Sequence, residues 1–157
     1  MLKVATADLW DRHGADLHCV DPIFQSYGLK TSFQGEITTL KLYEDNSLVR
    51  QQLCTPGKGK VLVVDGGGSL RCALVGDQLA ELAIQNEWEG LVIYGCIRDS
   101  AVINQMAIGI RAINTTPVKS IKKNQGEIDL AVQFASTLFK PGQMLYADED
   151  GILIKKT

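Results

Sequence analysis

The chain has 157 residues, close to one domain by the soft prior of ~150 residues each, and a domain of that size buries roughly 70% of its unfolded surface, enough for a core without disulfide or metal staples. Its 16 basic and 18 acidic residues leave a formal charge of −2 spread along the chain, which gives no electrostatic footprint for direct binding of nucleic acid. No apolar run approaches the ~20 residues needed to span a bilayer, and Met1-Leu2-Lys3-Val4-Ala5-Thr6-Ala7-Asp8 turns acidic too early for a secretory leader, so a cytoplasmic protein with no membrane partner is expected. Cys19, Cys54, Cys72 and Cys96 lie far apart, with no Cys-x-x-Cys pair and no histidine at zinc-finger spacing. They are expected to be small apolar core residues in a reducing compartment.

In chain order, Thr6 is placed to cap a short helix through Trp10 to His13, with Asp8 favouring its dipole, Gly14 as its stop, and Leu9 and Trp10 on its apolar side. Ile37 to Tyr43 reads as a strand from its β-branched content and partial alternation, and Glu44-Asp45-Asn46 then opens a helix to about Cys54. After the turn at Thr55-Pro56-Gly57-Lys58-Gly59, the continuous apolar run Val61 to Val64 predicts a strand buried on both faces. Cys72 to Val75 is a short strand, and Leu79, Leu82 and Ala83 recur at helical spacing, so a helix starts at or just after Gly76 and runs through Gln85. Gly90 to Gly95 is a second fully apolar strand. Strand, helix and buried strand make a βαβ unit with a right-handed crossover. Further strands are expected at Ile108 to Asn114, Asp129 to Phe134, Gln143 to Ala147 and Ile152 to Lys155, with Asp148-Glu149-Asp150-Gly151 as a hairpin turn. The pattern is α/β and a single domain over 1–157.

Two local signals carry chemistry. Gly76-Asp77-Gln78-Leu79 sits where strand turns into helix, so its amides are unpaired donors at the positive end of a helix dipole and can hold a small carboxylate; Asp77 by itself can equally be a first-turn charge. Arg98-Asp99 follows the carboxyl end of a buried strand, where open α/β sheets place ligands. The arginine offers a planar fork for a carboxylate or keto oxygen, and the aspartate a ligand for Mg²⁺; a surface ion pair or a helix cap is the alternative. Asp65-Gly66-Gly67-Gly68-Ser69 reads as a tight turn rather than a phosphate loop, and His13 and His18 lack ligand partners at metal spacing. Lys119, Lys122 and Lys123 form a small basic cluster, read as a solvated loop or a docking point for a protein partner.

Taken together, Asp77, twenty intervening residues (78 to 97) and Arg98-Asp99 resemble the signature shared by the class II pyruvate aldolases of the 4-hydroxy-4-methyl-2-oxoglutarate type and the regulator of ribonuclease activity A (RraA) family. The segments Val61 to Arg71 and Asn86 to Gly95 look like the regulator branch in particular. The resemblance implies a swivelling β/β/α domain assembled as a homotrimer or as a hexamer of two trimers. It further implies that the backbone of Gly76, Asp77, Gln78 and Leu79 and the side chain of Arg98 bind pyruvate or its enolate, that Asp99 anchors a divalent metal cation, Mg²⁺ or Mn²⁺, and that Asp77 orients a metal-bound water or another group bound to the metal. Arg98 and Asp77 are thereby the candidate catalytic residues. No general base is assigned; Glu36, ahead of a strand and placed to face a subunit boundary, is a stand-in, and Asp148, Glu149 and Asp150 are the acids near the C-terminus.

Two functions are implied. One is a metal-dependent lyase that acts on a small 2-keto acid, cleaving 4-hydroxy-4-methyl-2-oxoglutarate to two pyruvates and decarboxylating oxaloacetate. The other is a protein regulator that binds and inhibits the endoribonuclease of the RNA degradosome, ribonuclease E. The presence of Asp77, Arg98 and Asp99 together favours retained lyase activity, which is compatible with a regulatory role beside it.

Overall fold

A computed structural model describes residues 4–157. Met1, Leu2 and Lys3, on which the expected absence of a leader partly rests, lie outside the described residues. The elements are α1 (Thr6–His13), a 3₁₀ turn (Gly14–Asp16), β1 (Leu17–Cys19), β2 (Gln25–Tyr27), β3 (Phe33–Lys41), α2 (Ser47–Leu53), β4 (Lys60–Asp65), β5 (Ala73–Val75), α3 (Asp77–Gln85), β6 (Gly90–Ile97) and α4 (Ser100–Ile103). They continue with β7 (Ile110–Thr115), β8 (Glu127–Ile128), β9 (Val132–Phe134), β10 (Thr137–Phe139), β11 (Met144–Asp148) and β12 (Gly151–Lys155).

One large sheet runs β1-β12-β11-β3-β4-β6-β7-β2, with β5 added beside β6 and β8 beside β3, while β9 and β10 form a separate hairpin. Its centre, β3-β4-β6-β7, is parallel, and both margins are antiparallel. The continuous apolar run at 61–64 is explained by what covers each face. Leu62 and Val64 pack with Leu48, Val49 and Leu53 of α2 and Leu79, Ala80 and Ala83 of α3, while Val61 and Val63 pack with Val132, Phe134 and Phe139 of the small hairpin. Each of the valine, leucine and phenylalanine side chains among these contributes ~1.5–3 kcal/mol when fully buried. Hairpin, sheet and helices therefore form β/β/α layers, the architecture that the family resemblance implied. Among the described residues no helix is long and apolar enough to cross a membrane.

Several local expectations are corrected. Thr6 does not cap α1: Ala5 holds that position without a side-chain bond. Instead Thr6 is buried, and both its N–H and its hydroxyl donate to the Asp148 carboxylate, each at 2.7 Å. Burial opposes the charge of Asp148, yet these bonds and the amides of Asp150 and Gly151 outweigh it and hold its carboxyl below the usual range. Trp10 is exposed and Leu9 only half-buried. Cys72 and Cys96 are buried core thiols, but Cys19, at the end of the edge strand β1, and Cys54, just past α2, are exposed. The strand expected at 37–43 starts earlier, at Phe33, and stops at Lys41, ahead of Glu44 with φ +56°. The one expected from Asp129 starts at Val132, since Asp129 adopts φ +61°. The hairpin turn forms as expected, with Asp148 paired to Gly151.

Candidate active site

Parallel strands send the segments that follow them out of one edge of the sheet. At that edge β3, β5, β6 and β7 hand over to segments that meet around a cavity of about 140 Å³. Gly76, Asp77, Gln78, Leu79, Arg98 and Asp99, the six residues singled out by the sequence, all line it. The side chain of Leu79 is 3% exposed and belongs to the core, so Leu79 offers a ligand its main chain only. Gln78, Arg98 and Asp99 are exposed and Asp77 is half-buried.

The two halves of the sequence signal touch. Asp77 N–H donates to Asp99 Oδ2 at 3.0 Å, which satisfies one orphan donor of the first turn of α3 and seats a carboxylate at the positive end of its dipole. Ala80 N–H is bonded back to Gly76 O at 3.0 Å, leaving the amides of Gln78 and Leu79 as the other donors of that turn. Asp99 has φ +59° and ψ +35°, a left-handed conformation costing on the order of 1 kcal/mol in most residues and tolerated best by Asp and Asn. In this conformation its carbonyl accepts Ile103 N–H at 2.9 Å, starting α4, while its side chain reaches back to α3. The corner is pinned by Arg98 N–H to Val75 O at 2.9 Å and Thr116 N–H to Ile97 O at 3.0 Å.

The glycine run at 66–68 is a turn, as expected. Gly66 and Gly68 N–H both donate to Tyr94 O at 3.1 Å and Gly67 N–H to Asp65 Oδ1 at 2.9 Å. Its three amides are spent on Tyr94 and Asp65, so the turn has no phosphate-loop geometry. Glu36 lies within β3 opposite Lys60, the first residue of β4, at the end of the parallel strands away from Arg98. Asp148 is occupied with Thr6, and His18 Nε2 is paired with Ser136 O at the surface.

Sequence reasoning missed a second wall of the cavity, made by Asn46 just ahead of α2, Arg50 of α2, and Lys119, Ser120 and Lys122 from the loop after β7. The parallel order of β6 and β7 brings the lysine cluster to the edge at which Arg98 leaves the sheet. Asp45 fastens the two segments. It is 2% exposed; its Oδ1 accepts Ser47 N–H at 2.9 Å and Ser47 Oγ–H at 2.6 Å, and its Oδ2 accepts Lys123 N–H at 2.8 Å and Gln125 N–H at 3.1 Å. Burial works to raise this carboxyl, but the bonds from Ser47, Gln125 and Lys123 prevail and hold it at about 2. Asn46 N–H adds a bond to Ser120 Oγ at 3.3 Å, while Asn46 Nδ2 donates to Leu74 O at 3.1 Å and leaves Oδ1 buried without a partner among the described residues.

A folded-state value below the ordinary one means that Asp45 stabilises fully above about pH 4, and that this contribution is lost as pH falls toward 2. In Asp45→Asn an amide nitrogen replaces one oxygen and faces two N–H or O–H donors. The expected loss is about 1–3 kcal/mol at pH 7, narrowing between pH 4 and pH 2 as the wild type weakens. Urea unfolding at both ends of that range checks it; a gap that is constant with pH would refute the assignment.

Residues 6–154 match the model of the RraA-like family, described as Aldolase/RraA. The chain belongs to the RraA-like family. Within or beside it, a relative from Dechloromonas aromatica, provisionally named a 4-hydroxy-4-methyl-2-oxoglutarate aldolase, is 59% identical over 153 residues, covering 95% of this chain and 94% of its own. Of solved structures, one from Geobacillus kaustophilus, described as an S-adenosylmethionine:2-dimethylmenaquinone methyltransferase, superposes with a TM-score of 0.96 at 47% identity, covering 98% of this chain and 96% of its own. The RNA-processing inhibitor RraA from Thermus thermophilis gives 0.95 at 40% identity, covering 99% and 94%. Chains similar to this one thus carry three different names, and fold alone does not select among them.

Proposed function

We propose that this RraA-like chain is a carbon–carbon lyase that cleaves 4-hydroxy-4-methyl-2-oxoglutarate to two pyruvates and decarboxylates oxaloacetate, both through a pyruvate enolate. The supporting observation is the meeting of Arg98, Asp99 and the first turn of α3 at one small cavity; the provisional aldolase name of the Dechloromonas relative agrees with it.

The residues suit a hard divalent cation. Asp99 keeps Oδ1 free of hydrogen bonds among the described residues, and Asp77 lines the same cavity. Among the described residues no group of three or more His, Cys, Asp or Glu could hold a metal. Mg²⁺ or Mn²⁺, which accepts one or two protein carboxylates and keeps waters, matches that donor count. When bound, the cation supplies Lewis-acid polarisation of the 2-keto group.

The protein's own residues do the rest. The amides of Gln78 and Leu79 take the C1 carboxylate at the positive end of α3. Arg98 donates to the 2-keto oxygen, where negative charge collects as the C3–C4 bond breaks and its electron pair moves into C2–C3. From oxaloacetate the departing fragment is CO₂. From the aldol it is a second pyruvate, formed as the C4 hydroxyl gives up its proton. Asp77 orients the water that handles protons, and C3 then gains a proton to complete pyruvate. The test is pyruvate release from oxaloacetate, counted above a protein-free metal control. Chelation is expected to lower the rate at least about 100-fold, with recovery on adding Mg²⁺ or Mn²⁺; release that ignores chelator would refute the metal assignment.

The likeness to the Thermus structure favours a second reading, binding and inhibition of an endoribonuclease such as ribonuclease E. It calls for a direct complex at micromolar concentration, indifferent to chelator and to Asp99→Ala. A cytoplasmic location and assembly as a trimer or two stacked trimers fit both readings, and sedimentation measures the latter.

A further inference from the structure

Arg111, the second residue of β7, pairs with Val92 and lies on the hairpin face of the sheet, its guanidinium carbon 5.2 Å from the centre of the Phe33 ring. It is 4% exposed. Its Nη2 donates to Thr31 O at 2.6 Å and to Asp148 O at 3.2 Å, whereas Nη1 is buried without a partner among the described residues. Burial disfavours the guanidinium charge, and the carboxylates of Asp148 and Glu149 act against that. The lyase reading uses none of these groups.

The bond to Asp148 also shows how far the sheet curls. Between β7 and β11 stand β6, β4 and β3, four strand spacings, about 19 Å in a flat sheet at ~4.8 Å each, a distance no arginine covers. β1 and β2 stand at opposite ends of the strand order yet are joined by residues 20–24 alone, so the sheet bends until its two margins meet. In that seam lies a cavity of about 280 Å³, lined among others by Asp21 and Phe24 of the joining segment, by Arg111, and by Asp148, Glu149 and Asp150 at the β11–β12 turn. It shares no lining residue with the cavity at Arg98. The mouths of closed sheets are favoured places for small ligands, and this volume lies just under the ~300–1,000 Å³ of drug-sized pockets.

A buried N–H without an acceptor is costly, and a ligand acceptor that reaches Nη1 relieves that cost; a carboxylate suits a guanidinium best. Arg111 is set against Asp21, Asp148, Glu149 and Asp150, one cation among four carboxylates. A simple anion is repelled by that field, so the ligand must bring positive charge as well. A compact molecule with one carboxylate and two cationic groups meets both demands, and its alkyl stem can lie against Phe24. We infer that the seam binds a basic α-amino acid, with its carboxylate on Arg111 and its cationic groups beside Asp21, Glu149 and Asp150.

The test is calorimetric titration of the full chain with L-lysine, with cadaverine, which lacks the carboxylate, and with L-norleucine, which lacks the side-chain ammonium. L-lysine is expected to bind at least about tenfold more tightly than either, the effect of losing one charge-assisted contact. Glu149→Gln/Asp150→Asn is expected to weaken L-lysine toward L-norleucine, and Arg111→Gln to bring it down to cadaverine. Arg111 also bridges β7 to β11, so its variant can fail to fold; Glu149 and Asp150 are exposed, and circular dichroism confirms that their double variant folds. Arg98→Ala is expected to leave L-lysine binding unchanged. No binding of L-lysine at millimolar concentration, cadaverine binding as tightly as L-lysine, or an unchanged affinity in Glu149→Gln/Asp150→Asn overturns the inference. So does loss of L-lysine binding in Arg98→Ala, which would move the ligand to the other cavity.

Discussion

Replacing Arg98 or Asp99 with alanine is expected to lower kcat/KM for oxaloacetate decarboxylation by about 10²–10³, the usual effect of removing one group aimed at developing charge. Both side chains are exposed, so neither substitution opens a cavity in the core. Asp99→Ala has a second consequence, because it removes the acceptor of Asp77 N–H and places alanine at φ +59°. Each of those costs about 1 kcal/mol, and a fall in activity could then be blamed on a loosened corner. Asp99→Asn separates the two effects. Its amide oxygen still accepts Asp77 N–H, and asparagine tolerates the left-handed conformation, but the charge is gone. Loss of turnover in Asp99→Asn with a thermal midpoint close to wild type assigns the role to the carboxylate's charge. Full turnover in both Arg98→Ala and Asp99→Asn would place the chemistry elsewhere.

What was legible in the sequence and what was not follows from the range of the interactions. The run Val61 to Val64 announced a strand buried on both faces because the requirement is met residue by residue, and Leu62 and Val63 indeed enter different cores. The start of α3 at Asp77 was equally local, since a glycine and an acid at a strand–helix junction carry their own signal. The true partner of Thr6 was hidden because it is Asp148, 142 residues away, and no nearby pattern distinguishes a residue that caps from one that is capped. The short strands β1 and β2 escaped notice for the same reason, being three residues each and defined by pairing with β12 and β7. At the site, spacing tied Asp77 to Arg98-Asp99, whereas the lysines after β7 look like any solvated loop until the parallel order of β6 and β7 puts them at the same edge.

Gly76→Ala is expected to cost about 10-fold or more in kcat/KM while the fold stays intact, and the reason lies in space rather than backbone freedom. Gly76 has φ −124° and ψ −166°, an extended conformation open to alanine. A β carbon there would stand 2.7 Å from Asp99 Oδ2 and 3.4 Å from Arg98 Cγ, closer to the carboxylate than nonbonded atoms sit. Asp99 is the part that can yield, since its carboxylate is exposed and, among the described residues, held to α3 by one bond, from Asp77 N–H. Turning it away breaks that bond and moves the oxygen proposed to hold the cation, so the loss should show as weaker Mg²⁺ or Mn²⁺ activation and not only as a lower maximal rate. A metal titration of the decarboxylation rate distinguishes the cases. A half-activating concentration that rises several-fold in Gly76→Ala locates the damage at Asp99, because a substitution that merely loosened α3 would lower the rate at every metal concentration alike.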